Sequence, residues 1–388
     1  MEIKRINSID IVRGIVMILM ALDHTRDLIH VSSLTQQPTD LSTTTPLLFL
    51  TRWITHLCAP TFVFLSGVSA YISFKRKNNI TQTRRHLLSR GVFLILLDLT
   101  LINFGVWFDI HFNVILIDVL SAIGFGFIAL SLLLKCSLKA IGIVGLTIIF
   151  LHNLIPIIPF AESSLFKQIL TPFFAVDVFQ LSGGTTVLIA YPPIPWIGIT
   201  LAGFAAGFFF ILPDKQRKNI FLKIGISSIA LFLTLRFINL YGDLLPWQVQ
   251  KSALYTFFSF INVTKYPPSL QFCLLMLGIM FLVLYAVDTA KNKFTEITIV
   301  YGKVPLFYFI VHWYIIHPIM FFIVFLQGYK TSDLLFGFNF GRPKGPSGLS
   351  LWGIYSIWIA VVIILYPLCK WYGHYKENHK EIKWLRYL

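Results

Sequence analysis

Charge is what this chain has least of. Asp, Glu, Lys and Arg make up 13% of its 388 residues, while hydrophobic residues reach 56%; an ordinary soluble domain is about a quarter charged. That scarcity excludes a water-exposed globule. With a mean hydropathy of +0.75, it points to an all-α, polytopic integral membrane protein of about ten helices, because lipid offers backbone polar groups no partner. Cysteine is also scarce. Cys58, Cys136, Cys273 and Cys369 show no CxxC spacing, so neither a disulfide framework nor a zinc site follows, and no metal is expected. P-loop, GxSxG and HExxH patterns are lacking too, which leaves ATP-driven transport and soluble-type hydrolysis without support. The first apolar stretch is too long for a cleavable signal and has no small-x-small exit, so it is expected to remain as a helix.

What charge there is has an uneven distribution. The formal net charge is +15, yet the basic residues do not form a nucleic-acid face. With Met1 in the cytoplasm, the inner segments carry Lys4, Arg5, the Lys75 to Arg90 run, Lys135, Lys139, Lys215, Lys291, Lys293, Lys303 and the tail to Arg386. Far fewer fall on the other side, among them Arg52, Lys265, Lys330 and Arg342. This asymmetry predicts both termini in the cytoplasm of a multi-pass protein of the plasma (bacterial inner) membrane.

Ten hydrophobic runs have the length to cross: Ile9–Ile29, Leu47–Phe74, Leu87–Phe108, Val114–Leu134, Leu138–Ile158, Pro193–Leu212, Ile220–Leu240, Ser269–Asp288, Val304–Gln327 and Ser350–Cys369. They read as one transmembrane domain over residues 1–388, with no internal repeat. The long outer connections are His30–Pro46, Pro159–Pro192 and Tyr241–Pro268. Within them Leu165–Leu181 is apolar enough to lie on the outer surface or re-enter, and Lys251–Val263 has the same interfacial character.

The most informative pair is Arg13 and His24. Eleven residues turn a helix about three times and advance it about 16 Å, so both side chains share one face at opposite depths. Polar groups are expensive in a bilayer, and an aligned cation and imidazole suit a long anionic thioester threaded between them. Asp27, three residues after His24, lies on the same face and is a candidate to orient the imidazole. The plainer reading is that Arg13 anchors the helix and His24 closes an interhelical hydrogen bond.

Other candidates are weaker. His56 in the second run comes to roughly the depth of His24, as a second proton-handling group or a satisfied core imidazole. Ser66-Gly67 and Ser69-Ala70 supply small residues for close helix approach. Asp98 and Asp118 are intramembrane carboxylates, with His24 or Arg236 as possible partners. His312 and His317 are five residues apart, a poor spacing for a shared metal. Arg76 and Arg84 in the basic run are candidates for phosphate contacts, beside the simpler explanation that they set topology.

SIDIVRG with MALDHTRD (Ser8–Asp27) and APTFVFLSGVSAYIS (Ala59–Ser73), followed by YPPIPWIGITLAGFAAG (Tyr191–Gly207), TKYPPSLQFCLLMLG (Thr264–Gly278) and YGKVPLFYFIVHWYIIH (Tyr301–His317), resemble the heparan-α-glucosaminide N-acetyltransferase catalytic domains and their bacterial relatives, within the transmembrane acyltransferase superfamily. The resemblance runs from the first helix to the ninth. It implies cytosolic acetyl-CoA as acyl donor, a saccharide acceptor on the outer side, a catalytic role for His24 and a CoA contact for Arg13. In the lysosomal enzyme the catalytic histidine lies in the loop after the first core helix, which makes His30 a rival to His24.

The expected function is therefore acyl transfer from acyl-CoA to an amine or hydroxyl of an extracytoplasmic saccharide, directly or through an acyl-imidazole. A homodimer remains open. The alternative is a proton-coupled secondary transporter or exporter using Asp98, His24 and His312 as a relay.

Overall fold

The computed structural model describes residues 5–157, 165–382 and Leu385. Lys4, Arg386, Ile158 and the start of the Pro159–Pro192 connection lie outside the described residues.

The chain opens with α1 (Asn7–Ile29). The second hydrophobic run divides into α2 (Pro46–Thr55) and α3 (Cys58–Lys77). Pro46 suits the first turn of α2, and Thr45 caps it by accepting from the Leu48 amide. Asn78, at φ 47°, closes α3 in the left-handed conformation. The third run forms α4 (Ile80–Leu97), a π-helical turn over Asp98–Ile102, and α5 (Asn103–Trp107). Next come β1 (Val114–Ile117), α6 (Val119–Leu133) and α7 (Leu138–Leu151). Beyond them lie α8 (Leu165–Phe174), β2 (Asp177–Gln180), β3 (Thr186–Ile189), α9 (Pro193–Phe210) and α10 (Asp214–Ile238). The chain finishes with α11 (Ala253–Ile261), α12 (Leu270–Val287), α13 (Lys293–Gly302), α14 (Pro305–Leu326) and α15 (Leu351–Asn378).

Among the described residues, eight stretches are long and apolar enough to cross a bilayer: Pro46–Lys77, Ile80–Trp107, Leu138–Ile155, Pro193–Phe210, Asp214–Ile238, Leu270–Val287, Pro305–Leu326 and Leu351–Asn378. The chain is an all-α, multi-pass membrane protein. The other two expected crossings differ for separate reasons. α1 has 23 residues but carries Asp10, Arg13, Asp23, Arg26 and Asp27. α6 has only 15 residues, about 22 Å of helix against a hydrocarbon core of about 30 Å.

The fourth run does not begin as a helix. Val114–Ile117 pairs in parallel with β3, Val114 opposite Thr186 and Ile117 opposite Ile189, while β2 pairs antiparallel on the other side of β3. β-Branched residues favour that conformation. On the free edge of β1, the buried amide of Asn103 takes over as partner: Nδ2 donates to the Leu116 carbonyl and Oδ1 accepts from the Leu116 amide, both at 2.8 Å. Leu165–Leu181 accordingly divides into a helix and a strand rather than one re-entrant segment.

Glycine sets how α1 is held. A Cβ on Gly14 would lie 1.9 Å from the Thr298 carbonyl oxygen, and one on Gly302 would lie 1.8 Å from that of Asp10. The backbones of α1 and α13 therefore touch at two points. α3 and α9 meet in the same way, with Gly67 against the Thr200 carbonyl and Gly203 against that of Phe64, the packing that small residues permit in membranes. These contacts leave Arg13 facing α3 and His24 facing α14.

Candidate active site

His24 is half-buried near the C-terminal end of α1. Its Nδ1 lies 2.6 Å from Nε2 of His312 on α14. The next residue, Trp313, stacks on the His24 ring with centroids 4.1 Å apart and planes 18° from parallel. Phe309, one turn earlier, presents an edge at 6.3 Å. Residues three and four apart share a helix face, so α14 offers Phe309, His312 and Trp313 to one imidazole. Nδ1 of His312 is 3.2 Å from the carbonyl oxygen of Tyr308.

At the other end of α1, Nη2 of Arg13 donates to the Leu65 carbonyl at 3.0 Å and to Oγ of Ser69 at 2.7 Å. Arg13 is shared by two cavities of about 320 Å³ each. The first runs between α1, α3, α4, α6 and α14. Its polar wall includes Arg13, His86, Arg90, Lys303 and Lys376, and its apolar wall includes Met17, Leu120 and Phe309. Phe309 thus touches both the cavity and His24. The second cavity is smaller in polar variety and strongly basic, with Arg5, Arg76 and Lys77 beside Arg13 and one carboxylate, Asp10.

Asp27 is placed elsewhere than by His24. Its Oδ1 accepts from Arg26 at 2.7 Å, and the group at Nδ1 of His24 is His312. Its neighbour Asp23 forms the centre of a buried ionic cluster: Oδ1 accepts from Arg26 at 2.7 Å and from Thr55 at 2.8 Å, and Oδ2 pairs with Arg52. Arg26 takes both carboxylates, that of Asp23 at i, i+3 spacing and that of Asp27 as its neighbour in sequence.

His30 caps the end of α1, with Nδ1 3.0 Å from Oγ of Ser32. Burial, then the charges of Arg26 and Arg342, push its pKa below the usual histidine range. His56 sits buried at the break between α2 and α3, edge-on to Phe272 at 5.8 Å. Asp98 is fully buried, and its Oδ2 accepts from the amides of Asp118 at 2.9 Å and Ser121 at 3.1 Å. It therefore serves the N-terminal amides of α6, where a carboxylate is favoured, and neither His24 nor Arg236. Arg236 instead donates to the carbonyls of Phe260, Leu245, Ser259 and Asn262 and to Gln271. His317 bonds through Nε2 to the Phe340 carbonyl at 2.9 Å and stacks on Phe108, apart from His312. Arg76 lines the basic cavity, whereas Arg84 donates from Nε to the Ser131 carbonyl at 2.8 Å and tethers α4 to α6.

Sequence reasoning passed over Ser69 as a hydrogen-bond partner, Asp23 as an ionic hub, and Lys303 and Lys376 as cavity cations. Arg90, in the basic run Lys75–Arg90 that the sequence offers for phosphate contacts, lines the first cavity. Among the described residues, no group of three or more His, Cys, Asp or Glu is arranged to hold a metal.

A helix whose one end holds an imidazole paired with His312 of α14, and whose other end holds an arginine over a basic cavity, has the parts for proton transfer beside an anionic ligand. Comparison with curated proteins gave no match. The family described as heparan-alpha-glucosaminide N-acetyltransferase, catalytic, matches residues 5–247, more than half of the chain and including Arg13, His24 and Ser69. The chain belongs to that family of membrane acetyltransferases.

Proposed function

We propose that this protein moves an acetyl group from cytosolic acetyl-CoA to an amine or hydroxyl of a saccharide on the outer side of the plasma membrane, within one transmembrane domain whose termini are both cytoplasmic. The observation that carries this reading is the first cavity. Its wall combines the cations Arg13, Arg90, Lys303 and Lys376 with apolar residues that extend to Phe309, which meets His24 edge-on, a lining that suits an anionic donor with an apolar arm.

In this reading Arg13, Arg76, Arg90, Lys303 and Lys376 hold the phosphate-bearing end of the donor, and the pantetheine arm runs along α1. The acceptor nitrogen or oxygen attacks the thioester carbonyl carbon as His24 takes its proton. The carbon–sulfur bond then breaks, and the leaving thiolate receives the proton, giving CoA and the acetylated acceptor. The wall of the cavity supports this order of parts; the family match supports the acetyl transfer.

The test is thermal stability of the purified protein in detergent across an acetyl-CoA series, with dephospho-CoA and pantetheine as controls. A ligand bound only by the folded state stabilises by about 2.7 kcal/mol at a hundredfold excess over Kd. Acetyl-CoA should raise Tm more than either control. No response at millimolar acetyl-CoA would sink the donor reading and favour the proton-coupled transporter.

A further inference from the structure

His312 lies outside residues 5–247, so the family match assigns it nothing. The backbone around it nevertheless decides which nitrogen of His24 carries a proton. Nδ1 of His312 faces the Tyr308 carbonyl oxygen at 3.2 Å. A carbonyl oxygen only accepts, so the hydrogen of a neutral His312 is on Nδ1, and its Nε2 presents a lone pair. That lone pair is 2.6 Å from Nδ1 of His24. The contact is a hydrogen bond only if His24 is the donor. Nδ1 of His24 therefore holds the hydrogen, and its Nε2 has the lone pair.

Nε2 of His24 makes no hydrogen bond among the described residues, nor is it among the buried polar atoms that lack a partner. Its lone pair is thus left unused by the protein, on a ring that is half-buried. Trp313 fixes the plane of the ring by stacking at 4.1 Å, and His312 fixes its rotation and tautomer. We infer that His312, through the chain Tyr308 carbonyl–His312–His24, is a positioning residue that keeps Nε2 of His24 as the base. This rests on His24 being the base in the proposed transfer.

The arrangement also has a direction in time. When Nε2 takes the acceptor's proton, His24 becomes an imidazolium, and its Nδ1–H bond to His312 becomes charge-assisted and stronger. An interaction that strengthens at that step acts on kcat and leaves ground-state binding alone. A histidine that only fills space would do neither.

The experiment uses the full chain, ¹⁵N-labelled at histidine, in detergent. Comparing wild type with His24→Asn identifies the His24 ring signals. The wild-type ring should show a protonated Nδ1 and an unprotonated Nε2; the reverse assignment overturns the inference, whatever the activity. His312→Phe should lower kcat by about 10²-fold with KM for acetyl-CoA little changed. His312→Gln, whose amide oxygen can accept from His24, should restore most of the loss. An unchanged kcat in His312→Phe, or a Gln variant as slow as the Phe variant, overturns the inference. Should His312→Phe fail to fold, the wild-type tautomer decides alone. Full turnover in His24→Ala would instead remove the base assignment itself, a failure separable from the tautomer result.

Discussion

Nη1 of Arg342 donates to the carbonyl oxygen of His30 at 2.9 Å, across a sequence separation of 312 residues. The same guanidinium reaches Oγ of Ser33 at 2.8 Å and the Ser347 carbonyl. Beside it, the Leu349 amide donates to Ile29 at 2.8 Å and the Val31 amide to Leu349 at 3.0 Å. The segment 328–349, which reads from its glycines and prolines as a flexible outer loop, is therefore fastened to the end of α1. Arg342 is 1% exposed, and burial pushes its pKa down to about 10. Replacing it by alanine strands several buried acceptors, at a cost of about 2–3 kcal/mol. Arg342→Ala should lower Tm and speed amide exchange over 28–33, with acetyl-CoA affinity retained. Unchanged exchange there would show that the loop is held by something other than this clasp.

The same contacts bear on the two histidines that compete for the catalytic role. Nδ1 of His30 is taken up by Ser32, and burial with the charges of Arg26 and Arg342 lowers its pKa, while Nε2 of His24 has no hydrogen-bond partner among the described residues. His30→Ala should leave acetyl transfer near the wild-type rate. His24→Ala should abolish it with donor affinity intact, since in the proposed transfer the imidazole acts in the transition state. The opposite outcome in a radiolabelled acetyl-transfer assay would move the chemistry out of α1 and into the loop.

Asp23 supports that end of α1 by a different means. It balances Arg26 and Arg52, both buried or nearly so. Breaking a buried pair by removing one partner costs about 3–5 kcal/mol, because the other charge is left uncompensated. Asp23→Asn should therefore melt well below wild type. Combining it with Arg52→Gln should cost less than the sum of the two single changes, since they share one interaction. Strict additivity in thermal melting would mean that the pair contributes nothing as a pair.

Legibility followed the physics that produced each signal. Helical runs were readable because twenty apolar residues in lipid have few alternatives, and eight of the ten expected crossings meet length and hydropathy limits as they stand. Val114–Ile117 was misread as helix because its partner strand lies 72 residues away, at Thr186–Ile189, and periodicity reports only local order. The common face of Arg13 and His24 was visible from helix geometry, but their partners were not. Ser69 and His312 come from other helices, and pairing across helices leaves no mark in the spacing of a single one. Asp27 shows the converse error: it does lie three residues from His24, yet Arg26 beside it takes the carboxylate.

Orientation in the membrane follows from the placement of lysine and arginine. Reporter fusions after Lys77 and Lys215 should read as cytoplasmic, and fusions near Thr43 and Pro346 as external. With Met1 in the cytoplasm, an external signal at Thr43 requires α1 to cross despite its charges. A cytoplasmic signal at Thr43 would put the α1–α2 connection with the basic segments and remove the outer acceptor from the mechanism.

Donor binding gives the sharpest division of roles, because Ser69 holds Arg13 where the two cavities meet. The Ser69 hydroxyl, 2.7 Å from Nη2, and the Leu65 carbonyl at 3.0 Å fix the guanidinium between the two cavities. In the proposed donor site Arg13→Ala would remove a charge-assisted contact to phosphate, worth roughly twice a neutral hydrogen bond, and should raise KM for acetyl-CoA more than tenfold. Ser69→Ala keeps the charge but frees the side chain to move, so its effect should be smaller and in the same direction. Arg13→Lys separates charge from geometry: a lysine is a point cation without the planar fork, and it should recover only part of the affinity. In all three variants kcat at saturating donor should stay close to wild type, because His24, about 16 Å along the helix, is untouched. A fall in kcat at unchanged KM would place Arg13 in the chemical step and leave the phosphates to Arg76, Lys303 and Lys376.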